Sequence, residues 1–263
     1  VSEGSALISF RGIAKRFEHD GSMFTAVEDV QLDVAPGEFC CVVGPSGCGK
    51  STLLNMSAGL MEPSAGTVHY AGSPVPKPNT KVGYITQKDN VLPWRTVFRN
   101  VALPLELRQV DKAEIRERVS AMLDLVGLTG FAKAYPRQLS GGMRKRVALA
   151  RTLVYEPEAI LADEPFGALD AQLKTILQAE LRRIWERTGT TFIFVTHDIG
   201  EAITLGDRVV VMSQRPGRIS MVCDVDIPRP RDVFKVRFDA RYAELFEQLW
   251  SALSDEVEQE LAS

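Results

Sequence analysis

Gly44-Pro45-Ser46-Gly47-Cys48-Gly49-Lys50-Ser51-Thr52 follows the apolar run Phe39-Cys40-Cys41-Val42-Val43 and opens a segment from Leu53 to Leu60. A strand, a glycine loop and a helix start in that order make a phosphate cradle. The glycines let backbone amides converge on anionic oxygens, and the helix N-terminus adds a favourable dipole. Lys50 is spaced to reach the terminal phosphates of a nucleoside triphosphate. The Ser51 hydroxyl suits magnesium, a hard cation that prefers oxygen ligands. A simple turn would have no need for Lys and Ser in this G-x4-G-K-[ST] register. Kinases, GTPases, helicases and transport ATPases all use such a loop, so the rest of the chain must choose among them.

Two further runs end in groups suited to the same chemistry. Ala159-Ile160-Leu161-Ala162 stops at Asp163-Glu164-Pro165, and Thr191-Phe192-Ile193-Phe194-Val195 stops at Thr196-His197-Asp198. Both read as buried parallel strands, and open α/β sheets bind their ligands at the carboxyl edge of such strands. Carboxylates brought there need a cation or a proton partner. Asp163 suits the metal shell and Glu164 the general base, while His197 suits contact with the γ-phosphate and orientation of the attacking water. Leu139-Ser140-Gly141-Gly142-Met143 precedes a helix over 144–154, where Ser140 is a natural N-cap and the glycines leave amides open to an anion.

The elements that position these groups follow from pattern. Residues 6 to 43 carry short alternating runs separated by Gly21-Ser22 and Pro36-Gly37, a strand-and-turn region. Phe17 is expected between two of these strands, where its ring either stacks on a base or packs ordinarily. Gly66 to Tyr70 and Val82 to Ile85 read as further strands, the second ending at Gln87. Between about 90 and 155 the period becomes helical, with Ile115, Val119, Met122, Leu123 and Val126 on one face. Arg144-Lys145-Arg146 reads as a solvated helix surface rather than a nucleic-acid site. Residues 208–212 and 219–225 read as a hairpin over Arg215-Pro216-Gly217-Arg218. Tyr242, Leu245, Phe246, Leu249 and Trp250 lie at helical spacing, a stripe expected to pack.

Composition narrows the class. With 31 basic against 34 acidic residues there is no general footprint for nucleic acid or anionic lipid. No apolar run approaches the roughly 18 residues of a spanning helix, and the N-terminus lacks a signal layout. A soluble cytoplasmic chain is expected, reaching a membrane only through another protein. The four cysteines, two of them adjacent at Cys40 and Cys41, fit neither a disulfide framework nor zinc spacing and read as reduced thiols. Cys48 is expected to be an activated thiol, because the loop amides and Lys50 favour thiolate, so that a maleimide should react there and ATP should shield it; the alternative is a small, inert filler. A start at Val1 rather than Met points to trimming or partial coverage.

With Leu139-Ser140-Gly141-Gly142 downstream of the glycine loop and a short helix before Asp163-Glu164-Pro165, the chain closely resembles the nucleotide-binding subunit of an ABC transporter over nearly its whole length. The resemblance implies an α/β fold: a P-loop NTPase core with an N-terminal antiparallel β subdomain and an inserted α-helical subdomain. The expected division is a core over 1–88 and 156–227, a helical subdomain over about 89–155 and a helical tail over 228–263. It further implies a base-stacking Phe17, a Walker A loop over Gly44, Pro45, Ser46, Gly47, Cys48, Gly49, Lys50, Ser51 and Thr52, and a metal-sensing Gln87. Ser140, Gly141 and Gly142 fall in the signature, Asp163 and Glu164 in Walker B, Ala168-Leu169-Asp170 in the D-loop, and His197 at the switch.

ATP and Mg2+ are then the expected cofactors. Two copies, expected to form a homodimer, would close head to tail with each ATP held between one Walker A loop and the other copy's Ser140 signature. A transmembrane permease and an external solute-binding protein are the other implied partners, with no nucleic acid, and the subunit is placed peripherally on the cytoplasmic face of the inner membrane. Leu92-Pro93-Trp94-Arg95-Thr96-Val97 and Arg215-Pro216-Gly217-Arg218-Ile219 look like importers of nitrate, sulfonate, taurine and similar compounds, and the short stretch after Pro228 leaves no room for an added regulatory domain. Pro93 and Trp94 are expected either at the permease-facing surface or in the core. The alternative is a non-transport ABC ATPase in DNA repair, chromosome work or translation, but a sustained heptad and a second cassette are both missing. A small-molecule kinase would have no use for Leu139 to Gly142.

Overall fold

The computed structural model describes residues 6–19, 21–167 and 169–262, with side chains to Ser254 apart from His19. The readings at Val1 and Ala168 lie outside the described residues. In chain order, β1 (Ile8–His19) and β2 (Ser22–Val34) form a hairpin, and β3 (Phe39–Val43) leads into α1 (Lys50–Ser57). β4 (Ala65–Tyr70), β5 (Ser73–Pro74) and β6 (Val82–Ile85) follow, then α2 (Val97–Leu107), α3 (Lys112–Leu125) and α4 (Gly141–Leu153). Strands and helices then alternate: β7 (Ala159–Asp163), α5 (Ala171–Thr188), β8 (Thr191–Val195), α6 (Ile199–Leu205) and β9 (Arg208–Met212), closed by β10 (Ile219–Asp224) and α7 (Ala240–Ala262).

Two sheets result. One is antiparallel in the order β2-β1-β4-β5; the other runs β10-β9-β3-β8-β7-β6, parallel throughout except for the antiparallel β10 edge. The central strands alternate between two buried faces, as a sheet covered on both sides requires. Phe39, Cys41 and Val43 of β3 join Ile160 and Ala162 of β7 and Phe192 and Phe194 of β8 against α5, α6 and α7. Cys40, Val42, Leu161, Ile193 and Val195 face the other way, onto α1 and the antiparallel sheet. α2, α3 and α4 enclose a separate apolar cluster built on Val101, Leu105, Val119, Leu123 and Val147. This is the expected fold class of a parallel core, an antiparallel β layer and inserted helices.

Several local expectations are corrected. Phe17 lies within β1, paired with Phe24 of β2, because the hairpin extends to Gly21. β6 ends at Ile85, so Gln87 follows the strand by two residues. The stripe on α7 divides: Leu245 and Leu249 are fully buried, whereas Phe246 is 38% and Trp250 59% exposed, since one helix turns only one narrow face to the core. Arg144, Lys145 and Arg146 are half-buried and partnered rather than solvated. Arg144 pairs with Asp89 at 2.9 Å, Lys145 donates to the Gln87 carbonyl, and Arg146 donates to the Val126 carbonyl at 2.9 Å. All four cysteines are free and buried.

Candidate active site

Parallel pairing of β6, β7, β8 and β3 brings their carboxyl ends to one edge. Gln87, Asp163 with Glu164, Thr196 with His197, and the loop beginning at Gly44 all emerge there, the arrangement by which an open α/β sheet forms a ligand crevice. Lys50 starts α1 and is buried, its Nζ donating to the carbonyls of Gly44 at 2.7 Å and Pro45 at 2.6 Å. The loop is tight because Gly49 has φ 99°, and a Cβ there would lie 2.2 Å from Val27 Cγ1.

Asp163 is drawn from opposite directions. Burial raises its carboxyl above the usual range, a hydrogen bond with Ser51 lowers it, Glu164 raises it and Lys50 lowers it, leaving a net upward displacement. A half-buried carboxylate raised by desolvation is stabilised in its charged form by a nearby cation. Among the described residues no group of three or more His, Cys, Asp or Glu could hold a metal by itself. The oxygens of Ser51 and Asp163, joined by a hydrogen bond, could contribute to holding a magnesium ion, a hard cation that prefers oxygen ligands.

Glu164 is the meeting point of the remaining groups. Its Oε2 accepts from Gln87 Nε2 at 3.4 Å and lies 3.3 Å from His197 Nδ1. Its backbone sits at φ 43°, in a left-handed region unusual for a side-chain-bearing residue. The Glu164 N–H donates to the Val195 carbonyl at 3.0 Å and holds that conformation against the neighbouring strand. The His197 side chain is 60% exposed, whereas Glu164 is 22% exposed.

The other expected site residues make contacts of their own. Phe17 stacks on Phe24 with centroids 5.5 Å apart, and Arg215 lies 5.1 Å over Phe24 while donating to the Gly47 carbonyl at 3.3 Å. Phe24 and Arg215 thereby connect Phe17 to the Gly44–Thr52 loop. Ser140 caps α4, accepting from Met143 N–H at 3.3 Å. No hydrogen bond or ion pair among the described residues joins Ser140, Gly141 or Gly142 to the Gly44–Thr52 loop. Gly142 instead abuts α5, where a Cβ would lie 1.9 Å from Leu173 Cδ2. Asp170 caps α5 through Leu173 N–H at 3.0 Å.

The expectation of an activated thiol at Cys48 is corrected to the filler. It is 1% exposed, and burial pushes its thiol up more than the nearby Lys50 brings it down, because removal from water penalises the thiolate. Trp94 is 71% exposed and Pro93 is exposed, which excludes core packing for both.

Comparison with known proteins gives a consistent picture. The sequence matches the ABC transporter family over residues 27–167. It is 44% identical to an aliphatic sulfonates import ATP-binding protein, SsuB, of Bacillus cereus, across 85% of this chain and 88% of that one. It is 42% identical to the nitrate import ATP-binding protein NrtC of Synechococcus elongatus, across 90% of this chain but 36% of that longer protein. The dimeric post-hydrolysis structure of the ATP-binding cassette MJ0796 with ADP and Pi superposes with a TM-score of 0.74 at 32% identity, covering 84% of this chain and all of that one.

Proposed function

This chain belongs to the ABC transporter family of ATPases, and from that membership we propose that it is the ATP-hydrolysing subunit of an importer for a small oxyanionic solute, a sulfonate, nitrate, taurine or a similar compound. The observation that carries the catalytic part is the convergence of Gln87 and His197 on one oxygen of Glu164, beside the Ser51 and Asp163 pair.

In this reading the Gly44–Thr52 amides and Lys50 hold the phosphates of ATP, and Phe17 stacks on the base. Ser51, Gln87 and Asp163 hold magnesium, whose charge would help neutralise the phosphoryl oxygens. Glu164 accepts the proton of the attacking water, while His197 steadies the γ-phosphate. Catalysis is then positioning and charge stabilisation without a covalent intermediate.

Ser140, Gly141 and Gly142 would close the site of a second copy in a homodimer, with Asp170 at the seam between subunits. The dimeric state of the MJ0796 relative supports that arrangement. The core would comprise 1–88 and 156–227, with the helices of about 89–155 and the exposed Trp94 facing a transmembrane permease and residues 228–263 forming a helical tail. An external solute-binding protein would deliver the solute. No helix among the described residues is long and apolar enough to cross a membrane. Docked on the permease, the chain would sit peripherally on the cytoplasmic side. The names of the sulfonate and nitrate import relatives support the solute class.

The test combines two measurements in the native host. A photo-crosslinker placed at Trp94 should capture a protein with several membrane spans, and deletion of the gene should abolish growth on a sulfonate as sole sulfur source or nitrate as sole nitrogen source. A chain never retained by membranes would end the transport reading. Unimpaired growth and uptake across these solutes would end the solute assignment alone.

A further inference from the structure

Thr196 and Asp198 bracket His197, and both side chains turn toward the same pair of groups. Thr196 Oγ1 donates to Glu201 Oε2, and Asp198 Oδ2 accepts from Lys174 Nζ at 2.7 Å. Lys174 Nζ is also 2.7 Å from Glu201 Oε1, an oxygen that accepts from Gln178 Nε2 at 3.2 Å. Lys174 and Gln178 lie on α5, one turn apart, and the Lys174 N–H donates to the Asp170 carbonyl at 2.9 Å. The Glu201 side chain is 4% exposed. A carboxylate so far from water is tolerated only with its acceptor sites filled, so loss of one donor should disturb the others. Burial pulls the Lys174 ammonium down, but its bonds to Asp198 and Glu201 more than offset this.

The geometry points to Lys174 and Glu201 as positioning residues that hold His197 against Glu164 by tying both of its chain neighbours to α5. They touch none of the reacting atoms. The inference rests on the proposed contact of His197 with the terminal phosphate, and it adds a route by which movement of that histidine reaches the start of α5 and Asp170.

The experiment compares Lys174→Met, Lys174→Arg, Glu201→Gln and His197→Ala in the full-length protein. The readouts are kcat, ATP affinity, melting temperature and the His197 ring resonance, which the alanine variant assigns among only three histidines. Lys174→Met should lower kcat about tenfold, leave ATP affinity within about twofold and shift the resonance, because ground-state binding does not use this network. Lys174→Arg should restore both kcat and the resonance. Glu201→Gln, which keeps the side chain's size, should act in the same direction and serves if the methionine variant does not fold.

An inactive His197→Ala beside a Lys174→Met or Glu201→Gln protein with normal kcat and an unmoved resonance would overturn the inference while sparing the proposed site. Loss of ATP binding and melting temperature in step with kcat, without rescue by arginine, would assign the network to folding alone and also overturn it. A His197→Ala protein that hydrolyses ATP normally would remove the underlying role of His197, and the inference with it.

Discussion

Oε2 of Glu164 lies 3.3 Å from Nδ1 of His197, a contact made across two adjacent parallel strands whose register sets Asp163 beside Val195. One residue of slip between β7 and β8 would turn either side chain to the opposite face. The buried alternation of Phe192 and Phe194 against Ile193 and Val195 prevents that slip, so the core also sets this contact.

Glu164→Gln keeps the size of the side chain and an acceptor for Gln87 but removes the proposed base. Turnover should fall on the order of 100-fold or more while ATP still binds, as for loss of a general base. Stopped-flow hydrolysis beside equilibrium nucleotide binding checks this. Near-normal hydrolysis would take Glu164 out of the chemistry.

Cys48 should resist maleimide with or without ATP. Its thiol is shut from water and held above its ordinary pKa by that burial, with Lys50 only a partial counterweight. Peptide mapping that finds rapid, ATP-protected labelling at Cys48 would show instead that the loop opens enough to expose a thiolate.

Gly217→Ala should destabilise the fold by about 1–3 kcal/mol, the usual scale for overpacking. A Cβ at Gly217 would lie 1.8 Å from the Cys48 carbonyl oxygen, and backbone cannot swing aside as a side-chain tip can. Nucleotide affinity should fall as well, because Gly217 packs against the Cys48 carbonyl within the Gly44–Thr52 loop. Thermal melting and ADP titration together test the point, and an unchanged melting temperature would contradict it.

Trp94→Ala should leave the melting temperature and the ATPase rate of the isolated chain unchanged, since the ring is 71% exposed. Solute uptake in membranes should drop, an exposed aromatic being a common anchor at protein interfaces. Equal uptake by variant and parent would place the permease contact elsewhere.

A mixture of Lys50→Ala and Ser140→Arg chains tests whether the site is shared. Each parent homodimer should be disabled at both sites, whereas the heterodimer gathers both lesions into one site and leaves the other intact. Purified heterodimers should therefore occlude one ATP apiece. If they trap no more nucleotide than either parent, each site lies within one chain.

Much of this was legible in the sequence because it depends on short-range order. The glycine register of 44–52, the apolar runs ending at Asp163 and Val195, and the cap at Ser140 are local statements of backbone conformation and burial, and they placed the phosphate loop and both strand-end groups. Three-dimensional packing decided the rest. Nothing in the spacing of Gln87, Glu164 and His197 says that groups following two other strands reach one oxygen of the Glu164 carboxylate; strand order and register do. Arg144 to Arg146 looked solvated because charged helical positions usually are, yet Asp89, Gln87 and Val126 arrive from distant parts of the chain to partner them. Cys48 looked activated because its sequence neighbour is Lys50, but burial, a property of the whole surrounding structure, outweighs that one charge. The sequence by itself determined which chemistry the chain carries, since residue type and local spacing suffice for that. Which groups touch was left to the tertiary structure, because contact between residues far apart in the chain depends on how the sheets and helices pack.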